Sequence, residues 1–115
     1  MVSLEVAIGQ SGDVTILDLV GRVITGQGQE VLAAELRRLV DGGARKLLVN
    51  LERVAQIDSS GISSLVRAFV TLGRSGGSLK LLRPQGRVRD VLEMTRLLTI
   101  IAAFDDEAAA LASFR

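Results

Sequence analysis

The chain has 115 residues and a net charge of +1 at neutral pH, with no Cys, no His, no Tyr and no Trp. This composition suits one domain with its own hydrophobic core, and it removes disulfides, thiolate nucleophiles, the commonest general base and the commonest metal ligand. Because the arginines are scattered and aromatic residues are few, we expect no binding of nucleic acid. Because His and Cys are absent, we expect a protein that is not an enzyme and holds no cofactor or metal. We also expect it to be soluble and cytoplasmic and to insert into no membrane.

The first half of the sequence predicts a hairpin, a helix and a buried strand. β-Branched and aliphatic residues run through 3–8 and 14–20 with polar turn residues between them, which is typical of an antiparallel hairpin. Apolar positions return at helical spacing over 27–40 and predict the first helix. The continuous apolar run 46–51 predicts a central strand that is covered on both faces.

The second half alternates helices with strands. A second helix begins at the serines that follow Asp58, and its apolar stripe ends near Gly73. A strand over 79–82 precedes an amphipathic helix around 88–95. The apolar run 98–104 predicts a closing strand, and the alanine-rich segment after it predicts a last helix.

This order, β-β-α-β-α-β-α-β-α, defines an α/β fold class. Strands that alternate with helices require right-handed crossovers and therefore a mixed, mostly parallel sheet. The opening hairpin adds an antiparallel pair, and about four helices cover the sheet. We expect a single domain over residues 1–115.

Two weaker patterns are better explained by structure than by chemistry. Gly26-Gln27-Gly28 is the nearest approach to a phosphate-binding loop, but Val31 stands where the dinucleotide fingerprint needs its third glycine. A flexible connection from strand to helix explains these glycines better. Lys46 and Lys80 lie within apolar strand patterns and have no nucleophile motif beside them.

Asp58-Ser59-Ser60-Gly61 is the most informative segment, because it stands between a buried strand and an amphipathic helix. Its simplest interpretation is helix capping, in which Ser or Asp satisfies a free N–H group and contributes about 1 kcal/mol. A hydroxyl at this position is also presented at the surface. A phosphate added to it would meet backbone N–H groups and the positive end of the helix dipole.

At these residues the sequence resembles the STAS family of anti-sigma factor antagonists. The resemblance runs nearly end to end and is carried by the order and spacing of four segments, 49–51, 57–62, 77–81 and 97–99. It implies a STAS-type domain that acts as substrate and ligand. An anti-sigma factor that is also a serine kinase would bind it and phosphorylate Ser60, and a phosphatase would restore the binding form.

The resemblance also implies roles for the neighbours of Ser60. Asp58 corresponds to the family's acid beside the acceptor and shapes the docking surface. Ser59 is expected to cap the helix, and Gly61 is expected to allow the close turn into it. All four residues are therefore predicted to contact the partner.

One segment departs from the family pattern. Antagonists with well-defined partners usually carry a Leu-Asp pair after the glycine that ends the second strand, whereas this chain continues as Arg22-Val23-Ile24-Thr25. We expect Val23, Ile24 and Thr25 to border the partner surface and to tune partner choice. Two alternatives stay open: a STAS scaffold in which Ser60 only caps a helix, and a weak nucleotide-responsive STAS domain. A homodimer is also left open.

Overall fold

The computed structural model describes residues 3–115 as a five-stranded sheet in the order β1-β2-β3-β4-β5 with four α-helices. The elements are β1 (Leu4–Ser11), β2 (Val14–Val23), α1 (Gln27–Asp41), β3 (Lys46–Ile57), α2 (Ser59–Arg74), β4 (Ser78–Leu82), α3 (Gly86–Met94), β5 (Ala103–Phe104) and α4 (Glu107–Ala112). β1 and β2 are antiparallel and the other neighbours are parallel, which confirms the predicted fold class. None of the helices within residues 3–115 is long and apolar enough to cross a membrane.

The larger core lies between the sheet and helices α1, α2 and α3. Alternate residues of β2 and β3 point toward these helices, as the pleat of a strand requires. The fully buried leucines of this core include Leu17, Leu19, Leu32, Leu47, Leu51, Leu65, Leu72 and Leu92. A second, smaller core on the other face of the sheet packs Leu48 and Leu82 against Ala110 and Phe114, at and just beyond α4. Helix α2 therefore lies on the side of the sheet with the larger core.

β3 is twice as long as the predicted run, because its pairing with β2 continues past the apolar segment. Two register irregularities in this ladder, near Asp18 and near Gly21, allow the parallel pairing to reach Val23 opposite Ile57. The two strands consequently end side by side. The connections that follow them, which contain Thr25 and Asp58, are thus brought together at the carboxyl ends of these two strands.

The closing strand predicted over 98–104 is wrong for most of its length. Leu97–Thr99 forms a short 3₁₀ helix, and only Ala103–Phe104 pairs with β4. Leu97 and Ile101 are buried while Ile100 between them is exposed. Burial therefore repeats every four residues, which is a helical spacing, rather than every two.

Candidate functional site

Asp58 is the N-cap of α2. Its backbone is extended, and its Oδ1 accepts hydrogen bonds from the backbone N–H groups of Ser60 at 3.0 Å and Gly61 at 3.2 Å. Ser59, predicted to cap the helix, is instead its first residue and is exposed. The prediction fails by one position because Asp and Ser are equally common caps, and only the folded chain shows which side chain turns back.

The second carboxylate oxygen of Asp58 holds the connection between β2 and α1. Its Oδ2 accepts from the backbone N–H of Thr25 at 2.8 Å and from the Thr25 hydroxyl at 3.1 Å. The hydrogen bond from the Ser60 hydroxyl is the largest cause that lowers the pKa of Asp58, and bonds from Thr25 and Gly61 add to it against the opposing effect of burial. Asp58 is therefore a fixed negative charge at neutral pH.

Ser60 is half-buried, and its hydroxyl belongs to the same cluster. Ser60 Oγ lies 2.5 Å from Asp58 Oδ1, to which it donates, and 3.2 Å from the hydroxyl oxygen of Thr25. The two N–H groups expected to face a phosphate, those of Ser60 and Gly61, are already bonded to Asp58. A phosphoryl group on Ser60 would thus remove one hydrogen-bond donor and place its charge beside a carboxylate.

Gly61 lets α2 lie directly against the end of β2. A methyl group at this position would be 2.6 Å from the carbonyl oxygen of Val23, 2.7 Å from Val23 Cγ1 and 2.8 Å from Ile57 Cγ1. The residue is needed for this close approach rather than for an unusual backbone turn, because it lies within the helix and its φ is not positive. The position of Ser60 depends on this contact.

The three loop residues predicted to border a partner divide into two groups. Val23 is fully buried in the core, so its side chain is not available to a partner, and the prediction for it is wrong in this respect. Its carbonyl accepts from the backbone N–H of Asp58 at 3.2 Å. Ile24 is half-buried and Thr25 is exposed, so these two residues carry the accessible part of the loop.

Sequence reasoning missed a polar link between α1 and α2 beneath the site. The side-chain amide of Gln29 donates to Ser64 Oγ at 3.1 Å, and Ser64 Oγ donates to the carbonyl oxygen of Ser60 at 3.2 Å. Ser64 is buried although it is polar. Its spacing of four residues from Ser60 was the available signal, because residues four apart share a helix face.

The other candidate patterns have structural roles. A methyl group at Gly28 would lie 2.1 Å from the carbonyl oxygen of Arg22, so this glycine allows tight packing instead of giving a flexible loop. Lys80 donates to the carbonyl and hydroxyl oxygens of Ser113 at 2.7 and 2.9 Å, and so anchors the end of α4. Within residues 3–115 no group of three or more Asp and Glu side chains is placed to hold a metal ion.

Comparisons with known proteins identify the family and agree with this fold. The family model described as the STAS domain matches residues 5–110. BtrV of Bordetella bronchiseptica, which is named as an anti-sigma factor antagonist, is 31% identical over 93 residues that cover 81% of this chain and 80% of BtrV. The crystal structure of an anti-sigma factor antagonist from Mycobacterium paratuberculosis superimposes with a TM-score of 0.88 at 18% identity, covering 98% of this chain and 95% of that one. Bacillus SpoIIAA in its phosphorylated form gives 0.74 at 21% identity, covering 96% and 100%. The chain therefore belongs to the STAS domain family.

Proposed function

We propose that this protein is an anti-sigma factor antagonist that works as a phosphorylation-controlled partner switch. In the unphosphorylated state it binds an anti-sigma factor that is also a serine kinase. Phosphorylation of Ser60 by that kinase ends the binding, and a phosphatase restores it. The relatives that are named as anti-sigma factor antagonists support the first part of this proposal.

The placement of the Ser60 hydroxyl carries the proposal. Helix capping does not account for this serine, because the side chain of Asp58 already accepts from the N–H groups of Ser60 and Gly61. The Ser60 hydroxyl is instead held at 2.5 Å from an ionised carboxylate in a cluster that also includes an exposed threonine, Thr25. A scaffold in which Ser60 is only a cap fits this geometry less well.

A phosphate at Ser60 would act locally. It would bring roughly −1.5 to −2 charges at neutral pH to a position beside Asp58. Two like charges about 4 Å apart near a protein surface repel by about 4 kcal/mol, so Asp58 and the phosphate would move apart. Thr25, Asp58 and Ser60 are not members of the larger hydrophobic core, and we therefore expect the fold to persist. A partner that packs on the cluster would have to desolvate the added charge.

The test uses the purified chain with its anti-sigma factor kinase, Mg²⁺ and ATP. We expect mass spectrometry to locate one phosphate on Ser60, and Ser60→Ala to bind constitutively without being modified. Ser60→Asp should stay folded and bind at least about tenfold more weakly, since a charge would be buried without a partner. Ser59→Ala is the matched control and should behave as the wild type does. Modification of Ser59 instead, or wild-type affinity of Ser60→Asp, would contradict the switch.

The accessible loop residues beside Ser60 would tune which partner is bound. The family resemblance implies an acid in this loop, where the chain has Ile24 and Thr25, so Ile24→Asp would place a negative charge next to the cluster. We expect this variant to change affinity for the kinase while its thermal stability stays close to that of the wild type. Equal affinities would remove the loop from partner selection.

A further inference from the structure

The outer side of α2 carries arginines and aliphatic residues but no acid. Between Ser59 and Arg74 the helix contains no Asp or Glu. Arg67 and Arg74 are both exposed and follow Ser60 by seven and fourteen residues. Because seven residues make close to two turns, these three side chains lie along nearly one line on the helix surface.

Arg67 forms a ridge between two surface hollows. One hollow, of about 250 Å³, lies between α1 and α2 and is lined mainly by apolar atoms, with Leu36 and Val40 among its walls. The other, of about 460 Å³, runs along Ile62, Val66 and Val70 of α2. Arg67 lines both, and Val70 is 43% exposed. An apolar surface of this kind, with cationic side chains along it, resembles the composition of protein interfaces, in which Arg is enriched.

The arginines of this surface are not neutralised by the fold. Among residues 3–115 no carboxylate lies within 4 Å of the guanidinium groups of Arg37, Arg67 or Arg74. Of the residues that the structure describes, Asp41 is the one acid that lines either hollow. Other cations of the chain, Lys46 for example, do have such pairs. The surface therefore keeps a net positive charge for a partner to meet.

We propose that the α2 face, defined by Arg37, Ile62, Arg67, Val70 and Arg74, docks a protein segment that presents carboxylates beside apolar side chains. This inference rests on the proposed function, and it assigns the segment to the anti-sigma factor. The apolar groups would fill the hollows and the carboxylates would pair with the arginines, which sets orientation and the rate of encounter.

The same arrangement explains how a phosphate at Ser60 would influence binding at the α2 face. At 1.5 Å per residue, Arg67 is about 10 Å along the helix axis from Ser60, which is close to the Debye length in physiological salt. A phosphate at Ser60 would therefore repel the carboxylates that Arg67 attracts. The arginines of the α2 face and a phosphate on Ser60 would therefore both act electrostatically on the same partner.

Charge reversal on α2 tests the inference. Binding of the purified anti-sigma factor used for the Ser60 experiment is measured by calorimetry for the wild type, Arg67→Glu and Arg53→Glu. Arg53 is the matched control, because it is exposed on β3 opposite Val20 of β2 and lines neither hollow. We expect Arg67→Glu to weaken binding by at least about tenfold and Arg53→Glu by less than about twofold. Circular dichroism confirms that each variant is folded, and Arg67→Gln, expected to lose less affinity, replaces Arg67→Glu if that variant does not fold.

Salt dependence gives a second readout. Between about 50 and about 300 mM salt, the wild-type affinity should fall more steeply than that of Arg67→Glu. Salt screens the attraction between Arg67 and the partner's carboxylates in the wild type, whereas in the variant it screens a repulsion. Wild-type affinity of Arg67→Glu, or an equal loss in Arg53→Glu, would overturn the docking surface. If Ser60→Asp still weakens binding in that case, the switch stands without this surface. If Arg67→Glu weakens binding and Ser60→Asp does not, the surface stands and the switch fails.

Discussion

Replacing Gly61 by Ala should destabilise the protein, although alanine is the better helix former. The added methyl group would lie 2.6 Å from a backbone oxygen and under 3 Å from two aliphatic carbons, where ordinary contacts are about 3.5 Å or longer. Three simultaneous overlaps place the cost near the upper end of the range for overpacking, about 3 kcal/mol. The gain in helix propensity offsets up to about 1 kcal/mol. We expect a net loss of about 2 kcal/mol.

Gly73 provides the matched control, because it lies in the same helix and a methyl group there would meet nothing within 4 Å. Gly73→Ala should stabilise by up to about 1 kcal/mol. Denaturant unfolding measures both changes, and for a domain of this length each kcal/mol corresponds to about 4 °C in Tm. The two substitutions should therefore shift Tm in opposite directions. If Gly61→Ala matched Gly73→Ala, α2 would not rest on the end of β2 as described.

Three further changes test the polar contacts. Asp58→Ala should lower the free energy of unfolding, measured in urea, by about 2 kcal/mol, because it removes a helix cap and the hydrogen bonds from Thr25. Asp106→Ala removes a helix cap that accepts one hydrogen bond, from Ala109, and should lower it by about 1 kcal/mol. Equal losses would show that the Thr25 bonds contribute nothing. Because folding lowers the pKa of Asp58, its carboxylate stabilises the protein above the unfolded value of about 3.9 and this stability is lost as the pH falls below it. The Tm difference between wild type and Asp58→Ala should therefore narrow in acid, and a constant difference would contradict this. Lys80→Met should lower stability by about 1 kcal/mol and increase amide exchange in α4, with unchanged exchange arguing against the anchor.

Periodicity and short apolar runs were together sufficient to predict the order of elements up to α3. The three helices that cover the larger core carry a buried face with a regular period, and β3 carries a continuous apolar run that is buried on both faces, so the sequence pattern and the burial agree. The segment 98–104 has no such period, because its residues are almost all apolar. Packing against the finished sheet decides that Ile101 is buried, as Leu97 just before the segment is, so the sequence pattern did not distinguish a strand from a helical turn.

The candidate site was predictable in its location but not in its internal bonding. A polar segment between a buried strand and a helix marks a helix start at the surface, and this placed Asp58 and Ser60 correctly. The choice of Asp58 over Ser59 as cap depends on Thr25, which comes from a distant connection. The burial of Val23 likewise depends on the length of the ladder between β2 and β3, which extends beyond the apolar run seen in the sequence.

The bonds between Thr25 and Asp58 join residues that are 33 positions apart in the chain. They can form only after β2 and β3 have aligned as parallel neighbours with α1 crossing between them. Parallel pairing is non-local and is among the slower steps of folding. A nascent or partly folded chain therefore contains the serine but lacks the arrangement that holds it. A kinase that recognises this arrangement, rather than the linear peptide, would modify only molecules that have completed folding.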